Sequence, residues 1–262
     1  MTELRSRSGT GPFQVSQLRE EDRYELSDGH PIYCTPAGRD HAGGNSTGLL
    51  VLGTDPAVEW SGVDAGYRID DGTLRAPDIV VGPPPERDGW IPGVPPLAVE
   101  YAGRGQDEAE LQDRIADLLA AGTRFVWVVR LVGPRRVEVY VKDQPVRIYG
   151  ADDTLLAPGI LQNPVPVRAL YDRDAAQEEA LRNLLQRRGF ASLEALQAES
   201  EARGRITGRA EALLSLLEVR GLKVTQTQQR MILDCQDIEQ IGTWLQRAAF
   251  ADSTDALFQP VD

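Results

Sequence analysis

Residues 75–122 read RAPDIVVGPPPERDGWIPGVPPLAVEYAGRGQDEAELQDRIADLLAAG, and this stretch decides the fold. Two short apolar runs, DIVV at 78–81 and LAVEY at 97–101, have the Val, Leu and Ile content of buried strands. Each also carries one carboxylate, Asp78 in the first and Glu100 in the second. A carboxylate among such neighbours loses its hydration, and only a cation or several hydrogen-bond donors can offset the loss. Placed side by side, the two strands would bring Asp78 and Glu100 together, where one divalent cation neutralises both. A helix follows at once over 107–121. Leu111, Ile115, Leu118 and Leu119 recur at helical spacing, and Gly122 takes the usual stop position.

Downstream, RFVWVVRL at 124–131 has the pattern of a central strand, with Trp127 in the core. RVEVYVK at 136–142 alternates like a half-exposed strand, and 146–149 reads as a shorter one. Residues 163–166 close the sheet region. Upstream, 24–34 reads as a hairpin with Asp28-Gly29 as its tight turn. Residues 66–69 and 76–81 read as strands around the turn at 70–72. The segment 37–54 stays open: Gly38, Gly43, Gly44 and Gly48 weaken a helix, while LLVL at 49–52 suits either state. Six of the 17 prolines fall in 82–96, which marks an extended loop. A short helix is expected within 14–22, and residues 1–12, polar and rich in Gly and Ser, are expected to be disordered.

Composition changes near Tyr171. From 174 to 258 there is no strand pattern, only helical periods expected to break at Gly189, Gly204, Gly208 and Gly221. Leucines 213–217 supply the clearest apolar stripe, suited to helix packing or a dimer seam. Three segments result: 1–12, a domain over 13–170, and a helical region over 171–262.

The bulk numbers remove several function classes. No apolar run approaches the roughly 18 residues of a membrane span, and the N-terminus has no apolar signal core, so the expectation is a cytoplasmic protein. Cys34 and Cys235 stand alone, and His30 and His41 are the only histidines, which leaves no zinc-type cluster. Any metal would be a hard, oxygen-bound one. The net charge of −12, from 28 basic and 40 acidic residues, argues against a nucleic-acid clamp over the whole surface. Lys142 and Lys223 are the only lysines; arginine supplies the rest of the positive charge.

The order hairpin, strand with Asp, strand with Glu, helix, strand, strand resembles the core of the PD-(D/E)XK nuclease superfamily. The residues that carry the likeness are RAPDIVV at 75–81, LAVEY at 97–101 and DRIADLLAAGTRFVWVV at 113–129. Within that superfamily they look like the Uma-two family of restriction endonucleases. Tyr24, Glu25 and Leu26 with Asp28-Gly29 resemble its N-terminal pattern, and His41 falls near its usual histidine.

The resemblance implies an α/β fold: a restriction-endonuclease-like mixed central sheet flanked by helices, here with an all-α C-terminal appendage. It also implies hydrolysis of DNA phosphodiester bonds with Mg²⁺ or Mn²⁺. The metal would be held by Asp78 and Glu100, with the Tyr101 carbonyl as a further ligand and Glu25 as a third carboxylate. The superfamily lysine two residues after the glutamate is Ala102 here. Where this family moves that lysine onto the following helix, the chain has Arg114, which can clamp a phosphate but cannot serve as a base. The family's tyrosine one turn on is Leu118. The partners implied are DNA and a second copy in a homodimer, with two sites for two strands.

Each residue also has a plainer reading. Asp78 alone would be a turn or cap residue, Arg114 a solvated helix-edge arginine paired with Glu110, and His41 a structural histidine. The arginines at 135–136, 187–188, 203, 205 and 209 read as mostly solvated faces. The alternative to an enzyme is a nuclease-fold binding or assembly module that has lost turnover and acts through its helical tail.

Overall fold

The structure, a computed structural model, describes residues 11–36, 38–105 and 107–259, which fall into two compact units that meet at Gly189 and Phe190. The first unit runs β1 (Tyr24–Ser27), β2 (His30–Tyr33), α1 (Arg39–Thr54), β3 (Trp60–Val63), β4 (Tyr67–Arg68), β5 (Leu74–Arg75), β6 (Ile79–Gly82) and β7 (Ile91–Pro92). It continues through β8 (Leu97–Ala102), α2 (Glu108–Ala121), β9 (Phe125–Arg130), β10 (Arg136–Tyr140), β11 (Arg147–Gly150), β12 (Thr154–Leu155), β13 (Val165–Pro166) and α3 (Arg173–Arg187). The central sheet has the order β11-β10-β9-β8-β6-β3; a smaller sheet has the order β2-β1-β5-β4-β7, and β12-β13 form a third pair.

The central sheet is mixed. Strand β8 pairs antiparallel with β6 and parallel with β9, so α2 is the crossover of a β-α-β unit. All six residues of β8 are buried, because helices cover both faces. Odd-numbered residues such as Ile79, Val99, Tyr101 and Trp127 pack with Val51 and Leu52 of α1. Even-numbered ones such as Ala98, Ala102, Val126 and Val128 pack under Leu111, Ile115 and Leu118 of α2. The Asp107 side chain caps α2 by accepting from the Ala109 and Glu110 amides, and Gly122 ends it in the left-handed conformation at φ 117°.

Segment 37–54, left open by the sequence, is helical from Arg39 despite its glycines. Two of those glycines serve an approach: a methyl at Gly44 would sit 2.6 Å from the Tyr101 ring, and one at Gly48 would overlap the Tyr101 hydroxyl. Tertiary packing against β8 thus overrides weak helix propensity. The hairpin at 24–33 forms as expected, with Asp28 (φ 47°) and Gly29 (φ 75°) both left-handed. Within 14–22 only a single 3₁₀ turn, Val15–Gln17, forms. The expected disorder over 1–12 lies mostly outside the described residues.

Two expectations for this unit need correction. Segment 76–81 does not pair across the turn at 70–72. Strand β5 does that with β4, and the chain then crosses to the other sheet through Pro77, which has no N–H for a ladder. Arg187 is exposed, as expected, and its guanidinium also donates to the carbonyls of Gly53, Asp55 and Val58 and so closes the C-terminal end of α1. The change of composition at Tyr171 marks where strands stop, whereas α3 still packs on α1 within the first unit.

The second unit holds α4 (Leu193–Val219), α5 (Gln226–Asp234) and α6 (Ile238–Ala248). Helix α4 runs straight through Gly204 and Gly208, contrary to the expected breaks. Its core joins Leu213, Leu217, Ile232, Ile241, Trp244 and Leu257. Among the described residues no helix is long and apolar enough to cross a membrane.

Candidate active site

The ladder of β6 on β8 ends with Ile79 opposite Val99; Asp78 and Glu100 are the next residues on the two strands. Both acids are buried in the first unit. Asp78 follows Pro77 at the mouth of β6. Its Oδ2 accepts the Tyr101 backbone N–H at 2.6 Å, and its Oδ1 accepts from Asn45 Nδ2 at 3.4 Å. His41 Nε2, one turn before Asn45 on α1, lies 2.8 Å from Asp78 Oδ1. That pair is close but misaligned, since His41 Nε2 makes no hydrogen bond of proper angle. Contact with the Asp78 carboxylate pushes the imidazole pKa up, against the burial that pulls it down. Asp64 approaches from the other side, its backbone N–H 3.4 Å from the Asp78 carbonyl. Burial and the Asp78 charge raise its carboxyl pKa.

Glu100, 2% exposed, points to the α2 side. Its Oε2 accepts from Arg114 Nη1 at 2.9 Å, while Oε1 is buried with no partner. Burial pushes the Glu100 pKa up to about 8; Arg114 pulls it down and the Asp78 and Glu25 charges push it further up. Arg114 also reaches Glu25 Oε1 and Glu110 Oε1, each at 3.3 Å. The expected helix-edge pair with Glu110 therefore coexists with the pair to the strand carboxylate. The surrounding acids raise the Arg114 pKa, so its charge is fixed.

Glu25 is braced from behind. Arg75, with no exposed surface, donates to Glu25 Oε2 at 3.3 Å, to Ser27 Oγ at 2.9 Å and to Asp117 Oδ2 at 2.6 Å. This guanidinium ties the small sheet to α2 beneath Arg114. Burial raises the Glu25 pKa, and the two arginines oppose the rise.

Of the residues singled out from the sequence, Asp78, Glu100, Arg114, Glu25 and His41 thus meet in one region. Tyr101 joins them through its amide N–H; its phenol crosses α1 at Gly44 and Gly48 and donates to the Leu170 carbonyl at 2.7 Å. Leu118 is plain core. Nothing in the sequence pointed to Asn45 or Asp64. Arg75 had one clue, a strand position beside Leu74 in the segment leading to Asp78.

A family model described as "Putative restriction endonuclease" and named Uma2 matches residues 13–167, more than half of the chain. The chain belongs to the Uma2 family. A crystal structure titled as a "putative nuclease belonging to DUF820" from Anabaena variabilis ATCC 29413 superposes with a TM-score of 0.53 at 18% identity. The likeness covers 62% of this chain and 96% of that one, and it establishes a shared fold. No protein among the curated ones matches the chain. Every residue of the site lies inside the Uma2 match, whereas α3 and the second unit lie beyond it.

Among the described residues no three His, Cys, Asp or Glu side chains converge as a metal-binding group. The Uma2 site does fit a hard cation held by two carboxylates. Glu100 Oε1 is a buried oxygen without a hydrogen-bond partner, and Asp78, just past the end of the β6–β8 ladder, keeps a lone pair on Oδ1 beside the bond from Asn45. Mg²⁺ is usually held by one or two carboxylates, with water and phosphate oxygens completing its shell. Glu25 is committed to two arginines and supports Arg114 instead.

Proposed function

We propose that this Uma2 protein is a divalent-metal-dependent endonuclease that hydrolyses phosphodiester bonds of DNA. Asp78 and Glu100 hold Mg²⁺ or Mn²⁺, and Arg114 steadies the scissile phosphate. The observation that carries the reading is Glu100: buried, with one oxygen unpartnered, and within reach of the charge of a second buried carboxylate, Asp78. A bound cation supplies Lewis-acid polarisation of the phosphate and an acidified water. The chain's own groups position the rest. The Tyr101 N–H and Asn45 fix the rotation of Asp78. Glu25, held by Arg75, and Glu100 hold the Arg114 guanidinium in place, and that rigid charge stabilises an anionic transition state at little reorganisation cost. Two copies would give one site per strand.

Incubation of the purified chain with supercoiled plasmid tests this. Nicked and linear products should form with Mn²⁺ or Mg²⁺ and not with EDTA. Asp78→Asn and Glu100→Gln should each abolish them while the circular dichroism spectrum is kept. Cutting that survives in both variants refutes the assignment.

One observation favours a second reading, a nuclease fold retained as a binding module acting through its helical tail. Arg114 is paired to Glu100 Oε2 at 2.9 Å, and a guanidinium cannot give up a proton to serve as a base. Activity seen only in Arg114→Lys would establish that reading.

A further inference from the structure

A cleft of about 630 Å³ is lined by two tryptophans, Trp60 and Trp90, and by Asp64. Trp60 stands on β3, the edge strand of the central sheet. Trp90 packs on Gly66, where a Cβ would come within 2.5 Å of its ring. Both indoles are only half-buried, and a tryptophan face left open at a cleft is a stacking surface. The polar part of the lining is acidic: Glu20, Asp64, Glu86 and Asp88 against Arg87 alone. Such a wall repels phosphate and accepts hydrogen bonds from amino groups. Asp64 joins the cleft to the site, because its N–H meets the Asp78 carbonyl at 3.4 Å. The cleft is therefore where a nucleotide next to the cleaved phosphate would put its base.

We propose that this cleft takes one unpaired nucleobase carrying an exocyclic amino group, cytosine or adenine, stacked on Trp60 or Trp90 with its amine on the carboxylate wall. Carboxylates accept from cytosine N4 and adenine N6, whereas thymine has no amino group and offers its single N3–H alone. The acidic lining also keeps the phosphates outside the cleft, which matches a net charge too negative for a broad backbone clamp. The inference rests on the nuclease reading for its choice of ligand, since two indoles and carboxylates would equally hold an organic cation.

The test reads binding, not cutting. Single-stranded oligonucleotides of about eight nucleotides, all-dC, all-dA or all-dT, are titrated onto the full chain with Ca²⁺ while tryptophan fluorescence and anisotropy are followed. The dC and dA strands should quench the fluorescence and bind about tenfold tighter than dT, the order of one lost hydrogen bond to a charged group. Trp90→Ala should remove that preference. Gly66→Ala, which keeps both tryptophans and displaces Trp90 by its new methyl, should do the same. Equal binding of the three strands overturns the proposal. So does unchanged preference in both variants, and so does quenching by choline that the oligonucleotides cannot displace. Plasmid cutting without base preference removes this inference alone. Base preference without any cutting removes the nuclease reading and leaves the pocket.

Discussion

Replacing Glu100 with glutamine takes an ionisable group out of a site where burial dominates. The carboxyl is pushed from its ordinary 4.5 up to about 8. Between those two values the folded chain keeps a proton that the unfolded chain has released, so unfolding releases a proton and rising pH favours it. The stability tied to this proton is full below about pH 4.5 and lost as pH rises through about 8. With about 1.36 kcal/mol per pKa unit, the loss between about pH 5.5 and about pH 8.5 comes to about 3 kcal/mol. Other raised groups, Glu25, Asp64 and His41 among them, add their own slopes. A difference between variants cancels them to first order. Urea unfolding of the wild type and Glu100→Gln in EDTA, repeated across that range, should show the variant gaining about 3 kcal/mol on the wild type toward high pH. A gap that does not change with pH refutes the reasoning: Glu100 would then be ionised throughout, with Arg114 outweighing its desolvation.

Other perturbations probe the supports of the site. Gly48→Ala drives a methyl into the Tyr101 hydroxyl; overpacking of up to about 3 kcal/mol, less about 1 kcal/mol of recovered helix propensity, should cost about 2 kcal/mol in denaturant unfolding. Arg75→Met leaves Glu25 and Asp117 without their shared guanidinium and should destabilise the first unit by about 3–5 kcal/mol, read as a lowered unfolding midpoint. Arg187→Ala removes three carbonyl contacts at the end of α1; on a charged but exposed donor this should cost about 1–2 kcal/mol, with the fastest amide exchange gained at 53–58.

The parts of the fold that sequence made legible are those in which one local pattern decides the outcome. Strands β8 and β9 are covered on both faces, so they had to be unbroken apolar runs, and Glu100 stood out within one of them. Helix α2 carries its period, cap and stop in its own residues. Helix α1 was not legible, because its glycines answer to Tyr101, a residue of another element. The break between β5 and β6 is a matter of which sheet each joins, which no local pattern encodes. The same limit applied to the site. Asp78, Glu100 and Arg114 could be found because a charge in an apolar run, or at the edge of an apolar stripe, is visible one-dimensionally. Arg75 and Arg187 look like any arginine until their partners, far along the chain, are in place.

The balance of charge around Glu100 leads to a further prediction. Three buried carboxylates, Glu25, Asp78 and Glu100, face two largely buried guanidiniums, Arg75 and Arg114, and these two also serve Asp117 and Glu110 at the rim. The cluster is at least one positive charge short. A proton on Glu100 makes up the deficit when no cation is bound, which is the raised pKa in another form. A phosphate brought to Arg114 under those conditions meets a guanidinium already balanced by Glu100 and Glu25, next to further negative charge, and gains little. A divalent cation held by Asp78 and Glu100 would displace that proton and bring the five buried groups from one negative charge in excess to one positive, which would leave Arg114 freer to hold an anion. DNA should therefore bind this protein weakly in EDTA and about tenfold or more tighter with Ca²⁺, measured by anisotropy of a labelled duplex. Glu100→Gln should lose most of the dependence on the cation. Equal affinity with and without Ca²⁺ in the wild type would mean that Arg114 already holds phosphate on its own, and that the paired acids serve the fold rather than a cation.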